Sequence, residues 1–250
     1  MGFRLPALCV LVLMAIGNQR PSVAANIADF VDFSLRDGDA TLLPGRLYVP
    51  PEAVADPATP RPLVLFMHGS GSSGTDNVTQ VAVSSMNNLF NEAQRRGVFL
   101  YAPQTNFGWT SSIVTDRVMT MVEQSLVEYN VDPRRLYVTG LSMGGGGTWN
   151  MLNRYGKRFA AGVPICGVTP GSDFEPTNFL HEATWAFHAR NDGVVSVVST
   201  RNVFDSIVAA AGQTPPAEYP TVFQAGEPTY TFPNLDVKYT DYRFGGHNIW

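Results

Sequence analysis

Hydrophobic positions along the chain alternate between short apolar runs and helical stripes. Residues 63–67 (LVLFM) form a continuous apolar run, as expected of a strand covered on both faces, and end in His68-Gly69-Ser70-Gly71. Met86, Leu89, Phe90 and Ala93 recur at helical spacing, and 98–102 follows as a strand. Val118, Val122 and Leu126 mark another helix, stopped by Val131-Asp132-Pro133 before a strand at 136–139. Residues 144–154 read as helix, and 160–165 and 184–189 as strands. Val197, Phe204, Ile207, Val208 and Ala211 give a further helical stripe, and 237–243 a closing strand. Strands alternating with helices predict an α/β fold, a mostly parallel, doubly wound sheet with helices on both faces. At the start, strand-like runs at 30–35 and 42–49 flank Arg36-Asp37-Gly38-Asp39, which predicts an antiparallel hairpin. The Pro- and Ala-rich stretch 50–62 reads as an exposed connector. Residues 212–236 carry five prolines and no clear period, a long loop of the kind that often serves function.

The 250 residues suit one large domain with a sizeable core. Lys+Arg 17 against Asp+Glu 21 gives a net charge of −4, and no basic run offers a nucleic acid an electrostatic footing. Residues 1–25 combine Arg4, a short apolar run at 8–16 and small residues at 22–25, the pattern of a cleaved secretory signal. The run is too short for a bilayer, which takes about 20 residues, so no stable membrane insertion is expected after cleavage. A secreted or periplasmic domain at 26–250 follows. It would hold one cysteine, Cys166, so no intrachain disulfide; in VPICGV that residue reads as a buried small hydrophobe.

Gly140-Leu141-Ser142-Met143-Gly144 fits G-x-S-x-G between a strand-like RLYVT and a helix. A serine on such a sharp turn projects its hydroxyl above the sheet, and the flanking glycines avoid clashes. A hydroxyl needs a base to become nucleophilic. Of His68, His181, His188 and His247, the last follows the final strand, where this chain order places the base; His188 suits a buried structural role. Asp192, after the strand TWAFHA, is the expected acid, with Asp173, Glu175, Asp236 and Asp241 as competitors; it could also merely cap the turn before Gly193. The oxyanion needs fixed donors. Met143 N–H supplies one, and Ser70 N–H, with Gly71 as alternate, the other. The histidines and acids show no metal-ligand clustering, and no phosphate loop is present, so neither metal nor cofactor is expected.

Together HGSG, GLSMGG, ARNDGVV and GGHNIW resemble the α/β-hydrolase superfamily. FMHGSGSSGTDN, VDPRRLYVTGLSMGG with RYGKRFAAGVPICG, and the H-N-x-W ending resemble its secreted branch of serine esterases, polyhydroxybutyrate depolymerases and feruloyl-type esterases. The resemblance runs from Leu63 to Trp250. It implies ester hydrolysis through an acyl-enzyme, with Ser142, Asp192 and His247 at the matching positions and Trp109 lining an acyl pocket or packing in the core. It also implies a small-molecule or polymeric ester as substrate, polyester or plant-wall esters included. A helix after the histidine is usual in that branch, and an end at Trp250 is expected either of a fragment or of a member whose last helix is absent. The alternatives are a non-catalytic or truncated protein of the same fold, or a serine peptidase. Oligomeric state is not specified by any of these features.

Overall fold

The computed structural model describes residues 24–222 and 230–249. The expected leader lies outside the described residues except for Ala24 and Ala25, as does the middle of the 212–236 segment. In chain order the elements are β1 (Val31–Asp32), β2 (Leu35–Asp37), β3 (Ala40–Leu43), β4 (Gly45–Tyr48), α1 (Pro51–Ala55), β5 (Arg61–Met67) and α2 (Ser84–Arg96). Then come β6 (Phe99–Pro103), α3 (Ser112–Glu128), β7 (Val131–Leu141), α4 (Met143–Tyr155) and β8 (Ala161–Ile165). β9 (Thr184–Ala189), α5 (Val197–Ala210), β10 (Tyr230–Thr231) and β11 (Val237–Tyr242) complete the described chain.

Nine strands form one sheet in the order β1-β4-β6-β5-β7-β8-β9-β11-β10, whose central six are parallel. The apolar run of β5 divides as a strand of period two must. Leu63, Leu65 and Met67 pack on the face covered by α3, α4 and α5, while Val64 and Phe66 pack on the face covered by α2. Met86, Leu89 and Phe90 of α2 are wholly buried there. At about 1.5–3 kcal/mol for each such side chain, this packing, rather than the weak propensity of an isolated 13-residue helix, holds α2 in place.

The N-terminal region differs from expectation in its extent. The hairpin is confined to β2 and β3, turns through Gly38 at φ 55°, and forms a two-stranded sheet of its own. Pro44 interrupts the chain after β3, and β4 then joins the main sheet antiparallel to β6. The connector at 50–62 contains the short helix α1, started by Pro51 at its first position. The 212–236 segment is anchored where it is described: Tyr219 and Phe232 are buried beside Tyr239, and Val222 bridges Tyr242. Among the described residues no helix is long and apolar enough to cross a membrane.

Candidate active site

The elbow after β7 is the point from which the site is built. Ser142 adopts φ 61°, ψ −119°, a conformation that L-residues rarely take and that costs about 1–3 kcal/mol unless its surroundings enforce it. They do so through close backbone contact. A Cβ at Gly144 would stand 1.9 Å from the Met67 carbonyl oxygen, and one at Gly140 would stand 2.4 Å from the same atom. Only glycine at both positions lets α4 begin against the end of β5. Ser142 N–H donates to Ile165 O at 2.9 Å, and Ser142 O accepts from Gly146 and Val168. The hydroxyl therefore sits at the carboxyl edge of the sheet at the start of α4, whose N-terminal dipole favours negative charge.

The next turn brings up backbone donors. A Cβ at Gly69 would lie 3.6 Å from Ser142 Cβ, so the 68–72 turn runs alongside the elbow. Ser70 and Met143 each open a helical turn, so their N–H groups stand outside the helical hydrogen-bond ladder. His68 fastens this turn from beneath. Its buried ring donates from Nδ1 to Gly69 O at 2.8 Å and accepts at Nε2 from Thr105 N–H at 3.1 Å. Burial lowers its pKa and keeps it neutral. Trp109, a candidate acyl-pocket residue from sequence, is instead 1% exposed, packs edge-on against His68 at 4.8 Å, and donates its indole N–H to His68 O at 3.0 Å. The glycine run of α4 draws it inward: a Cβ at Gly147 would come within 2.7 Å of the Trp109 side chain. Trp109 thus supports the site from the core.

The expected acid and base, Asp192 and His247, lie on the loops after β9 and β11. His247 Nδ1–H donates to Asp192 Oδ2 at 2.7 Å. The Asp192 side chain is fully buried, and that of His247 is 22% exposed. Asp192 Oδ1 accepts from the amides of Val194 and Val195 at 2.8 and 2.9 Å, so the carboxylate caps its turn and faces the imidazole at once. Burial pushes the Asp192 pKa up, but the bond from His247 and the two amides outweigh it and hold the carboxyl below its ordinary range. The His247 loop turns through Gly245 and Gly246, both at positive φ, and Gly246 N–H donates to Asn191 Oδ1 at 2.9 Å. Among the described residues no hydrogen bond joins Ser142 Oγ to His247, a contact that in unliganded sites is commonly long.

Three further residues support the site: His188 and Cys166, which the sequence gives buried structural roles, and Asn191, which carries no signal there. His188, wholly buried in β9, places Nε2 3.0 Å from Val195 O and 3.2 Å from Asp192 Oδ2, while Thr200 Oγ1 lies 2.8 Å from Nδ1. The carbonyl requires the proton on Nε2, so a neutral His188 packs beside the acid at 3.2 Å and pins the 192–195 turn that carries it, and burial lowers its pKa. Asn191 ties the two loops together. Cys166, at φ 43°, is buried behind Asp192, and burial together with that carboxylate pushes its thiol pKa up, as fits an inert packing residue. Cys166, His188 and Asp192 bring ligand-type atoms within 4.8 Å of one another, yet those of Asp192 and His188 are already committed to the bonds above.

The other candidates are used elsewhere. Asp173 pairs with Arg154, Glu175 caps the turn at 176–181, Asp241 is buried against Arg201, and Asp236 lies beside Lys238. His181 ends the 176–181 turn, whose Asn178 bonds to Asn153 of α4.

Comparison with known proteins finds similarity to a depolymerase and to esterases. No family model matches the chain. It is 25% identical over 228 residues to a poly(3-hydroxybutyrate) depolymerase of Ralstonia pickettii, covering 82% of this chain and 46% of that protein. It is 24% identical over 176 residues to acetylxylan esterase A of Emericella nidulans, covering 68% and 55%. Among solved structures, a thermostable esterase superposes with a TM-score of 0.66 and 31% identity over 86% of this chain and 55% of that one. The chain spans about half the length of the curated relatives it matches.

Proposed function

We propose that this chain, which has the α/β-hydrolase fold and is related to esterases of that superfamily, hydrolyses carboxylic esters through an acyl-enzyme on Ser142. The supporting observation is the 2.7 Å bond from His247 to a fully buried, ionised Asp192, delivered to the sheet edge that carries the strained Ser142.

In this mechanism Ser142 Oγ attacks the ester carbonyl while His247 Nε2 takes its proton. Asp192 holds the imidazole in the Nδ1–H tautomer and stabilises the imidazolium that forms. Met143 N–H and Ser70 or Gly71 N–H receive the oxyanion; a single such donor is worth roughly 10²–10³ in kcat. The C–O bond to the alcohol then breaks, and the alcohol oxygen takes the proton from His247. Water, activated by the same imidazole, releases the acid and restores Ser142. Secretion under the direction of residues 1–25 belongs to the same proposal and rests on Arg4, the apolar run at 8–16 and the small residues at 22–25.

The test is turnover of p-nitrophenyl acetate and butyrate by the purified protein beside Ser142→Ala. Saturable hydrolysis that falls by about 10⁴-fold or more in the variant is expected. A folded parent protein without turnover, or a variant as active as the parent, contradicts the proposal and favours the non-catalytic alternative.

A further inference from the structure

β9 and β11 lie side by side under the proposed acid and base, since β9 runs into Asp192 and β11 into the loop that carries His247. Along both strands the residues facing α5 change character at the same level. Ala186 of β9, and Val237 and Tyr239 of β11, pack in the apolar core with Val203, Phe204, Ile207 and Val208 of α5. Two residues further on, His188 and Asp241 occupy that same face as paired positions of neighbouring strands, and both are wholly buried. Each is the last residue of its strand on that side.

Helix α5 meets them with two consecutive residues. Thr200 Oγ1 lies 2.8 Å from His188 Nδ1, and Arg201 directs both its Nε–H, at 3.1 Å, and a terminal N–H to Asp241 Oδ2. One turn of the helix thus grips both strands at the edge from which the proposed acid and base project.

The Asp241–Arg201 pair is costly for what it holds. The Asp241 side chain is fully buried, and that of Arg201 is 22% exposed. Burial outweighs the pull of Arg201 and leaves the Asp241 carboxyl above its ordinary range. Apolar side chains of similar volume in place of a buried ion pair often leave stability unchanged or raise it, so stability does not explain the pair. Direction does. An apolar contact tolerates sliding of the helix over the strands, whereas two N–H groups converging on one carboxylate oxygen fix distance and angle. The chain around and beyond Asp241 depends on that registration. Asp241 O accepts from Val222 N–H at 2.9 Å, Tyr242 O accepts from Arg190 N–H at 2.7 Å, and Gly246 N–H reaches Asn191. The last two bonds tie the His247 side to the segment that carries Asp192.

Resting on the ester-hydrolase reading above, we infer that Arg201 and Asp241 are positioning residues of the site, holding β11 against α5 and β9 so that His247 meets Asp192 within hydrogen-bond distance. They touch no reacting atom. Their effect passes through the seat of the His247 loop, and misplacing a reacting group by about 1 Å costs up to about 10²-fold in rate.

The test replaces the pair by apolar side chains, Arg201→Met together with Asp241→Leu, and reads the urea midpoint, p-nitrophenyl acetate kinetics and the proton NMR spectrum. The midpoint should be unchanged or raised. kcat should fall by about ten- to a hundredfold with KM little changed. The far-downfield resonance expected of the His247 Nδ1–H bond to Asp192 should broaden or move upfield. Val203→Ala, one turn further along α5, should do the reverse: a lower midpoint with kcat kept. A double variant with full kcat, one whose loss lies in KM alone, one whose midpoint falls with kcat, or one that fails to fold overturns the inference. So does a loss of kcat in Val203→Ala as large as that of the pair. The unaltered protein separates the two levels: no turnover of p-nitrophenyl acetate by it removes the hydrolase reading and this inference together, whereas turnover kept in the double variant removes this inference alone.

Discussion

His68 and His188 occupy comparable places on opposite sides of Ser142. Both are wholly buried in or at the end of parallel strands, both are kept neutral by burial, and neither is the base. They differ in what they hold. His68 bonds only backbone, Gly69 O and Thr105 N–H, and so fixes the turn that runs beside the elbow. His188 reaches a side chain, Asp192, which also takes His247 and two amides. A backbone donor is positioned once its turn is closed. A carboxylate must be fixed in rotamer and charge as well, and the protein meets that need with three donors and with His188 packed beside them. The oxyanion side is thus set by close local packing and the acid–base side by a converging network.

The largest expected effect breaks the network at its centre. Asp192→Asn keeps the shape but loses the acceptor that selects the Nδ1–H tautomer, and kcat on p-nitrophenyl acetate should fall by about 10⁴. A loss under about tenfold would mean that His247 works without its acid.

On the opposite side, Trp109→Ala removes the indole beneath the oxyanion turn. It should cost about 3–5 kcal/mol in denaturant unfolding, as large-to-small core changes do. A change below about 1 kcal/mol would mean that the turn does not depend on this packing.

Removing the neighbour that pins the acid's turn is milder. His188→Leu should lower kcat by about tenfold with KM little changed, because it perturbs only the orientation of the acid. An equal loss through KM would instead place His188 in substrate binding.

The smallest effect is on stability with pH. His68 and His188 have folded pKa values below their unfolded value of about 6.5, so the unfolded chain binds more protons as pH falls through that range. Their stabilisation is full above about pH 6.5 and is lost toward their folded pKa values, at up to about 1.4 kcal/mol per pH unit for each histidine. Urea midpoints between about pH 7.5 and 5.5 should therefore decline, and His188→Leu should flatten the decline; an unchanged slope in that variant would assign it to other groups.

Much of this was legible in the sequence because it is locally encoded. The run 63–67, the stripe Met86, Leu89, Phe90, Ala93 and the strand 184–189 each carry their own period, and each became the expected element. Ser142 announces itself through Gly140 and Gly144, whose missing side chains make the elbow possible. Asp192 and His247 follow from chain order and strand ends. Asn191 carries no such signal, and His188 and Cys166 read only as buried structural positions, since the contacts that bring each to Asp192 or its loop are made only when β8, β9 and β11 come together. Trp109 was ambiguous for a related reason: its burial depends on Gly147 of α4, more than 30 residues on, where a side chain would collide with it.

Whether Ser142 is the nucleophile can be read chemically. The purified protein would be treated with a fluorophosphonate and digested, and the adduct located by peptide mass spectrometry. The adduct should fall on Ser142 in the peptide containing Gly140 to Gly144, and should be strongly reduced in Asp192→Asn. An adduct on another serine, or none on a folded protein, would contradict the assignment of this elbow as the catalytic centre.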